Sequence, residues 1–478
     1  MSTDSKDVKK VIPITAVEPE EQMISLYAAH QKIYPRSVKG VFTNWRWIMV
    51  WVTQIVFYGL PWIEWGQRQA VLFDLGVRRF YILGLVLYPQ DLIYMTGLLV
   101  ISALSLFLFT AVAGRLWCGY ACPQTVYTEI FLWAEKLVEG DRAARMRRDE
   151  AGMSVEKVGR KAAKHALWLL FSIWTGFTFV GYFAPIRDLA ADILSNNLSA
   201  WGYFWVLFYG FATYGNAGFM REQVCKHMCP YARFQSAMFD KDTLIVTYDS
   251  ERGEPRGARS KKADPTKMNL GACVDCSLCV QVCPTGIDIR NGLQYECIGC
   301  GACADVCDTV MDKVGYPRGL VKYSTENAMI NHWTAKQTLR HVFRPRILVY
   351  TSILLGIVVA IFVSLAMRTP FKVNVVRDRG VMARVVEAGK TENVYRLQVM
   401  NATEHDQHYK FTVSGLPSLV ITSDTTFKVE STKAITVPVR VQAPFGIAEP
   451  GSHEIHFEIE SLDSPGKLSE KSTFIIPK

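Results

Sequence analysis

The cysteines of this sequence are concentrated in one part of the chain and follow repeated spacings. All 12 lie between Cys118 and Cys307, and the last 171 residues contain none. Eight of them form two copies of the pattern Cys-x2-Cys-x2-Cys-x3-Cys, which begins at Cys273 and again at Cys297. This is the spacing of bacterial ferredoxins that hold two [4Fe–4S] clusters. The pattern therefore predicts two [4Fe–4S] clusters and electron-transfer chemistry.

The spacing also predicts which thiolates hold which cluster, because the fourth cysteine of each copy ligates the cluster of the other copy. The ligands of the first cluster are Cys273, Cys276, Cys279 and Cys307, and those of the second are Cys297, Cys300, Cys303 and Cys283. Zinc is the alternative, but structural zinc usually has four ligands in two Cys-x2-Cys pairs with a longer loop between them. The second copy has Asp308 where the first has Pro284. Neither residue is a ligand, so this difference concerns local geometry only.

The remaining four cysteines form a second repeat, Cys-x-x-x-Cys-Pro, which begins at Cys118 and at Cys225. Residues four apart on a helix share one face, so we expect each motif to present two thiols together. Soft thiolate ligands favour Cu(I), zinc or another iron–sulfur centre. The candidate copper or redox residues are the four thiols, with two weaker neighbours: Cys118, Cys122, Cys225, Cys229, His227 and Met228. The alternative is that these cysteines are small buried residues that pack helix ends.

Other cofactor signatures are missing from the sequence. It has no G-x-G-x-x-G dinucleotide fingerprint and no G-x-x-x-x-G-K-[ST] phosphate loop, so we do not expect the chain to bind its own NAD, FAD in a Rossmann domain, or ATP. The electron donor is therefore unknown from the sequence.

The composition indicates a membrane protein. Half of the 478 residues are hydrophobic and a fifth are charged, which is too apolar for a disordered chain or an average soluble enzyme. Five stretches predict transmembrane helices, and their residues are 45–65, 92–113, 166–184, 201–220 and 347–367. Loop 141–164 has eight basic residues against four acidic ones, which places it in the cytoplasm by the positive-inside rule. The net charge of +9 is then a topology signal, and we expect no nucleic-acid partner.

The sequence after the fifth stretch changes to period-two alternation, as in Ile455, Phe457 and Ile459. Such runs, separated by turn residues, predict short antiparallel strands, and the length fits an immunoglobulin-like sandwich. The predicted fold is a multi-domain membrane protein with five transmembrane α-helices, a cytoplasmic ferredoxin-like α+β module and a C-terminal β-sandwich. The predicted parts are a cytoplasmic tail at 1–40, a four-helix membrane domain at 41–220, the two-cluster module at 221–345, the fifth helix at 346–368 and the outer sandwich at 369–478.

The two Cys-x-x-x-Cys-Pro motifs followed by a two-cluster ferredoxin module resemble polyferredoxin membrane proteins of the NapH and NosR types. With the fifth span and the sandwich added, the chain is similar to the FixG/RdxA/CcoG family of cytochrome c oxidase accessory proteins over residues 39–478. This resemblance implies a bacterial inner-membrane protein with its N-terminus and clusters in the cytoplasm and its C-terminal domain in the periplasm. It further implies reduction of Cu(II) to Cu(I) during maturation of a cbb3-type oxidase.

Three functions follow as hypotheses. The leading one is a cupric reductase that passes electrons through the clusters toward the thiols of the Cys-x-x-x-Cys-Pro motifs. The second is a quinol-oxidising subunit with a quinone site between aromatic-rich helices, and the third is a scaffold that docks through the outer sandwich. The expected partners are the lipid bilayer, the oxidase or a copper chaperone or transporter, and an unknown electron donor. A homodimer is possible, but the sequence does not determine the oligomeric state.

Overall fold

The computed structural model describes residues 32–259, 268–378, 383–386, 389–444 and 446–477. Most of the predicted tail at 1–40 therefore lies outside the described residues. The first part of the chain is helical, and its bounds are α1 Val41–Gly59, α2 Leu92–Ala113, α3 Leu116–Tyr120, α4 Pro123–Glu139, α5 Arg142–Glu150, α6 Val155–Val180, α7 Ile186–Leu194 and α8 Ala200–Thr213. Two π-helical turns, Tyr214–Met220 and Val224–Met228, lead into α9, Pro230–Met238.

Two helices among the described residues are long and apolar enough to cross a bilayer, Pro89–Ala113 and Pro345–Ala366. The first consists of the 3-10 turn Pro89–Asp91 and α2, and the second is helix α15, Pro345–Ala366. Hardly any of their apolar windows is buried inside the protein. They lie side by side, with the Tyr94 hydroxyl 2.9 Å from Ser364 Oγ. Apolar helices that show their side chains to the outside are stable in a hydrocarbon environment.

The other three predicted spans are also helical, although their ends differ from the prediction. The first ends at Gly59 and continues as a 3-10 turn, Leu60–Trp62. α6 begins in the polar sequence at Val155, where the Ser154 side chain caps it through the backbone N–H of Lys157. The predicted helix 201–220 is α8 followed by π-helical backbone from Tyr214. The sequence pattern therefore located these helices but not their ends.

The cysteine-rich module is built from short elements. Its helices are α10 Ser250–Gly253, α11 Leu278–Gln281, α12 Ala302–Val314, α13 Glu326–Ile330 and α14 Ala335–Arg340. Its two strands, β6 Ile245–Tyr248 and β7 Val321–Ser324, pair antiparallel, and Ile245 is opposite Ser324. Side chains of both strands pack with Cys273 and with the buried Met311 of α12. The module is small, so its cysteine loops form part of its core.

The segment between α1 and α2 is folded rather than a simple loop. It contains the strands β1 Glu64–Trp65, β2 Arg68–Gln69, β3 Val71–Asp74, β4 Arg79–Ile82 and β5 Leu85–Leu87. β3, β4 and β5 form an antiparallel sheet in which Phe73 is opposite Phe80. This sheet rests against the C-terminal domain, where Leu72, Val86 and Tyr88 pack with Met400.

The C-terminal domain consists of two antiparallel sheets. Its strands are β8 Phe371–Arg377, β9 Arg384–Val385, β10 Thr391–Asn401, β11 Gln407–Ser414, β12 Val420–Ile421, β13 Thr426–Val429, β14 Ala434–Ala443, β15 Gly451–Ser461 and β16 Lys467–Ile476. One sheet has the order β12-β14-β10-β8, with β9 beside β10, and the other has the order β13-β11-β15-β16. The predicted inward residues Ile455, Phe457 and Ile459 are fully buried between the sheets.

Hydrogen bonds and ion pairs fix this domain to the sheet that precedes α2. The Tyr88 hydroxyl donates to the carbonyl oxygen of Asn401 at 2.8 Å. Asp91, which is 2% exposed, lies 2.6 Å from the Arg368 guanidinium and also pairs with Lys372. Arg68 of β2 pairs with Glu404 of the C-terminal domain.

Replacing Asp91 with Asn should loosen this attachment. The change leaves Arg368 and Lys372 near a buried site without their counter-charge, and breaking a buried ion pair typically costs about 3–5 kcal/mol. We expect faster hydrogen–deuterium exchange in residues 369–378 and a lower unfolding temperature for the C-terminal domain. The matched control is Asp406→Asn, which removes an exposed pair with Lys428 and should leave both measurements unchanged. Equal exchange in both variants would contradict the role of Asp91.

Candidate functional site

The two cysteine loops adopt the same unusual backbone. In the first copy, Asp275 and Ser277, which flank Cys276, have φ values of 50° and 52°. In the second copy, Gly299 and Gly301, which flank Cys300, have φ values of 64° and 71°. A left-handed residue on each side of the central cysteine curls the chain so that three thiols point inward. The internal repeat is therefore present in the backbone as well as in the spacing.

The second copy requires glycine because other elements pack against it. A Cβ atom on Gly301 would lie 2.9 Å from the Phe42 side chain of α1, and one on Gly299 would lie 3.2 Å from the Arg115 backbone. The first copy has Asp275 and Ser277 at these positions, and Cys276 is exposed. The second loop is thus the one in contact with the helical domain, and the first faces outward.

Two separate cavities receive the thiols in the predicted sets. One is lined by Cys273, Cys276, Cys279 and Cys307. The other is lined by Cys283, Cys297, Cys300 and Cys303, and Cys279 borders it as well. The fourth thiol of each set comes from the other copy, as the two-cluster rule requires. The shared border at Cys279 shows that the two cavities are neighbours.

The chemistry of these thiols fits iron–sulfur clusters. Burial raises the pKa of Cys297 and of Cys307 to about 12 and that of Cys279 to about 11. Crowded, buried thiolates need cations to stabilise them, and metal ions do so directly. Among the described residues, no three His, Cys, Asp or Glu side chains converge so closely that they would hold a single metal ion. Bound clusters would supply one-electron transfer at this position.

Asp305 connects the second loop to helix α1. Its carboxylate accepts hydrogen bonds from the backbone N–H groups of Phe42 at 3.1 Å and Thr43 at 2.7 Å, and from the Thr43 hydroxyl at 2.7 Å. These N–H groups lie in the first turn of α1, where they have no partner inside the helix. A negative charge is also favoured at a helix N-terminus. Asp305 therefore caps α1 from a residue that lies between Cys303 and Cys307.

The Cys-x-x-x-Cys-Pro motifs do not lie on continuous helices, so the expectation of one shared helix face was wrong. Cys118 is in α3, but Cys122 has extended backbone (ψ 128°) and is the residue before α4. Cys225 is in a π-helical turn, and Cys229 has ψ 111° before α9. The physical reason is the proline after each second cysteine, because proline disfavours helical backbone in the residue before it and is well suited to the first position of the next helix.

The four thiols are nevertheless brought together. Burial, together with the neighbouring thiols of Cys122 and Cys118, raises the pKa of Cys225 to about 12. Cys118 donates to Gln235 Oε1 at 3.2 Å, and Gln235 belongs to α9 of the other motif. The weaker candidates His227 and Met228 are exposed, in contrast to the half-buried thiols. The geometry thus groups the four cysteines and leaves those two side chains outside the group.

The first thiol motif is in direct contact with the second cysteine loop. A Cβ atom on Gly119 would lie 2.8 Å from the Ile298 carbonyl oxygen and 2.9 Å from Cys300 Cα. Cys118 packs in the same apolar cluster as Cys300. The Tyr323 hydroxyl donates to the Gly299 carbonyl at 2.6 Å. The four-thiol group therefore adjoins the loop of the second predicted cluster.

Sequence reasoning did not identify Asp305 or Gln235. Asp305 stands in a plain Cys-x3-Cys spacer, where nothing in the sequence marks it. Its importance becomes visible only when the structure shows that it is buried, since carboxylates are rarely buried without partners. Gln235 is 1% exposed, but its polar side chain gives no sign in the sequence of which cysteine it would meet.

Comparison with protein families agrees with this reading of the chain. A family described as "4Fe-4S dicluster domain" matches residues 220–326, and a family described as "4Fe-4S binding domain" matches residues 95–139. A third family, described as the "IG-like fold at C-terminal of FixG", matches residues 361–477. The iron–sulfur clusters and the immunoglobulin-like fold predicted from the sequence are thereby confirmed.

Similar proteins extend over nearly the whole chain. Protein RdxB of Cereibacter sphaeroides is 37% identical and covers 95% of this chain and 98% of its own length. Nitrogen fixation protein FixG of Rhizobium meliloti is also 37% identical, with 92% of this chain and 94% of that protein covered. The crystal structure of a FixG-related protein from Vibrio parahaemolyticus is 27% identical, with a TM-score of 0.21, and covers 23% of this chain and 97% of that chain.

Replacing Gly119 with Ala should remove the second cluster. The added methyl group would overlap the Ile298–Cys300 backbone and push this loop away from its ligand geometry. We expect iron to fall from about eight atoms per chain to about four, measured by anaerobic iron and sulfide analysis. The control is Gly159→Ala in α6, where a Cβ atom meets nothing within 4 Å. Unchanged iron in Gly119→Ala would contradict the proposed contact.

Replacing Asp305 with Ala should destabilise the attachment of α1 to the cluster loop. Three hydrogen bonds to a buried charge are lost, and we expect a cost of about 2–3 kcal/mol. Thermal loss of the cluster absorbance measures this, and it should occur at a lower temperature. Asp312→Ala on the same helix removes an exposed carboxylate that pairs with Arg318, so it serves as the matched control. The role of Asp305 would be refuted if both variants lost the absorbance at the same temperature.

Proposed function

We propose that this chain, which belongs to the FixG family, is an iron–sulfur electron-transfer protein that reduces Cu(II) to Cu(I) at its four-thiol group. The observation behind the proposal is the contact between Gly119 and the Ile298–Cys300 backbone. It places a group of soft ligands beside the loop of a one-electron cofactor. The step is a one-electron reduction, in which Cu(II) gains one electron and becomes Cu(I).

The membrane arrangement is part of this proposal. Five spans formed by α1, α2, α6, α8 and α15 would place the cluster module and loop 141–164 in the cytoplasm and the C-terminal sandwich on the periplasmic side of a bacterial inner membrane. The basic residues of that loop support this orientation. So does the attachment of the sandwich to the sheet between α1 and α2, because both must then lie on the same side.

The thiols are suited to copper by their chemistry. Thiolate prefers Cu(I) to Cu(II), so binding at Cys118, Cys122, Cys225 and Cys229 would itself favour reduction. Burial raises the pKa of Cys122, and hydrogen bonds from the backbone N–H groups of Gln124 and Thr125, at the start of α4, lower it. Gln235 holds Cys118 in place through a side chain from the second motif. The four thiols would bind the metal as thiolates, each releasing its proton to water on binding, and Gln235 would orient Cys118.

Copper in this reduced form would be delivered to a copper protein. The resemblance to cytochrome c oxidase accessory proteins suggests a cbb3-type oxidase, or a copper chaperone or transporter that serves it. The outer sandwich would offer such a partner a docking surface on the proposed periplasmic side. Both the partner and the side of delivery are proposals.

Replacing Cys118, Cys122, Cys225 and Cys229 together with Ala should abolish copper reduction without removing the clusters. The clusters are first reduced with dithionite, the excess dithionite is removed by gel filtration, and Cu(II) is then added. We expect the rate of Cu(I) formation to fall at least tenfold, because Cu(II) no longer has a soft-ligand site beside the second loop. Cu(I) is measured with a chromogenic chelator under anaerobic conditions.

Two controls make this result decisive. The quadruple variant should retain about eight irons per chain, which shows that its cluster loops are folded. His227→Ala should reduce copper at the normal rate, because His227 is exposed and outside the thiol group. An unchanged rate in the quadruple variant, with its clusters retained, would overturn the proposal.

A further inference from the structure

A large cavity lies between the helices close to the predicted cytoplasmic surface. Its volume is about 640 Å³, and its walls come from α1, α4 and α6, with residues of the cysteine module at one end. Six aromatic side chains line it, and they are Trp47, Trp51, Tyr58, Trp133, Phe171 and Trp174. This volume and this mostly apolar lining are typical of a small-molecule site.

The cavity opens both to the lipid side and to water. Trp51 of the proposed span α1 is 64% exposed, and Trp133 of α4 beside it is 52% exposed, so this apolar side would meet the bilayer at its cytoplasmic edge. Arg36 and Lys136 also line the cavity and are exposed charged residues, so that edge meets the aqueous phase. A molecule that fits both edges has a hydrophobic tail and a compact polar head.

Polar groups are placed at the inner wall of the cavity. The Arg46 guanidinium is 2.6 Å from the Glu129 carboxylate, and the two side chains are 7% and 20% exposed. Gln54 also lines the cavity, and within the part of the chain that the structure describes its Oε1 atom is buried without a hydrogen-bond partner. A buried ion pair and an unsatisfied amide in an otherwise apolar wall are costly unless a ligand or a function maintains them.

The same wall adjoins the second predicted cluster. Val282 and Pro284, on either side of Cys283, line the cavity, and so does Ala302, which precedes Cys303. Arg46 also interacts with Cys300, where its positive charge opposes the burial that raises the pKa of that thiol. The cavity and the cluster ligands thus share a boundary made of one layer of residues.

From these observations we propose that the cavity binds a lipophilic quinol, which is the electron donor of this protein. The aromatic rings would stack on the quinone head, its two oxygens would face the Arg46–Glu129 pair and Gln54, and its isoprenoid tail would leave past Trp51 and Trp133. The inference rests on the proposed function, because it names the donor for the same electron path.

The chemistry of such a donor balances. Oxidation of a quinol to a quinone breaks two O–H bonds and releases two protons and two electrons. The two predicted iron–sulfur clusters would be the oxidant. Each would accept one electron, so together they match the two electrons of one quinol. The protons leave through the aqueous edge of the cavity at Arg36 and Lys136. Two Cu(II) ions are then reduced for each quinol oxidised.

Binding can be tested without measuring any electron transfer. Full-length protein, purified anaerobically into phospholipid nanodiscs, is photolabelled with an azidoquinone that has a short isoprenoid tail, and the labelled peptides are mapped by mass spectrometry. We expect labels within residues 43–58 and 129–136. An excess of unlabelled short-chain quinone should lower this labelling at least tenfold, and an excess of phospholipid should not.

A matched pair of variants on α4 sharpens the test. Ile130→Trp fills the cavity, since Ile130 lines it, and should lower labelling at least tenfold. Leu137→Trp adds the same side chain at a position that is 66% exposed and should label like the wild type. Labelling outside the two segments, competition by phospholipid, or equal labelling of both variants would overturn the inference. Copper reduction by wild-type protein that has been reduced with dithionite and freed of the excess, measured in parallel, tests the proposed function separately because it needs no quinol.

Discussion

The carboxylate of Asp305 is the interaction on which the rest of the site depends. It lies between Cys303, which lines one thiol cavity, and Cys307, which lines the other, and it accepts three hydrogen bonds from the first turn of α1. A Cβ atom on Gly40 would lie 2.2 Å from the Asp305 Cγ, so the chain can approach this carboxylate only through glycine. The helix N-terminus and the charge stabilise one another. Helix α1 and the helix that carries Cys303 and Cys307 are therefore held together by one buried group.

Because the second loop is held in this way, other elements can be placed on two of its sides. The thiol motif meets it at Gly119, and the aromatic cavity meets it at Ala302, with Val282 and Pro284 from the end of the first copy beside it. A small pocket lined by Arg46, Glu129 and Cys225 lies between these two regions. The arrangement places the aromatic cavity, the second cysteine loop and the four-thiol group next to one another. Cys276, at the centre of the first loop, is exposed and does not line this cavity.

The C-terminal sandwich is attached by the same kind of interaction as the cluster module. Asp91 stands directly before α2 and pairs with Arg368 and Lys372, which stand on either side of the start of β8. Buried charges are costly alone and are retained when each has its partner. The pair therefore fixes the direction in which the chain leaves α15. The sandwich is held against the β3-β4-β5 sheet and is not a freely tethered domain.

The sequence by itself determined the local features. The Cys-x2-Cys-x2-Cys-x3-Cys spacing predicted the two sets of four thiols, each with its fourth thiol from the other copy, that line two neighbouring cavities, because a cubane bound by a tight loop leaves few other spacings. Uncharged runs located α2 and α15, and period-two alternation located the buried residues of β15, since both patterns depend only on neighbouring residues. The tertiary structure decided what depends on distant contacts. Pro123 and Pro230 broke the expected helical motifs, and packing then brought Cys118 to Gln235 and the four thiols to one group. The roles of Asp305, Asp91 and the Arg46–Glu129 pair belong to this second kind, because a buried charge is specified by a partner that can lie hundreds of residues away in the chain.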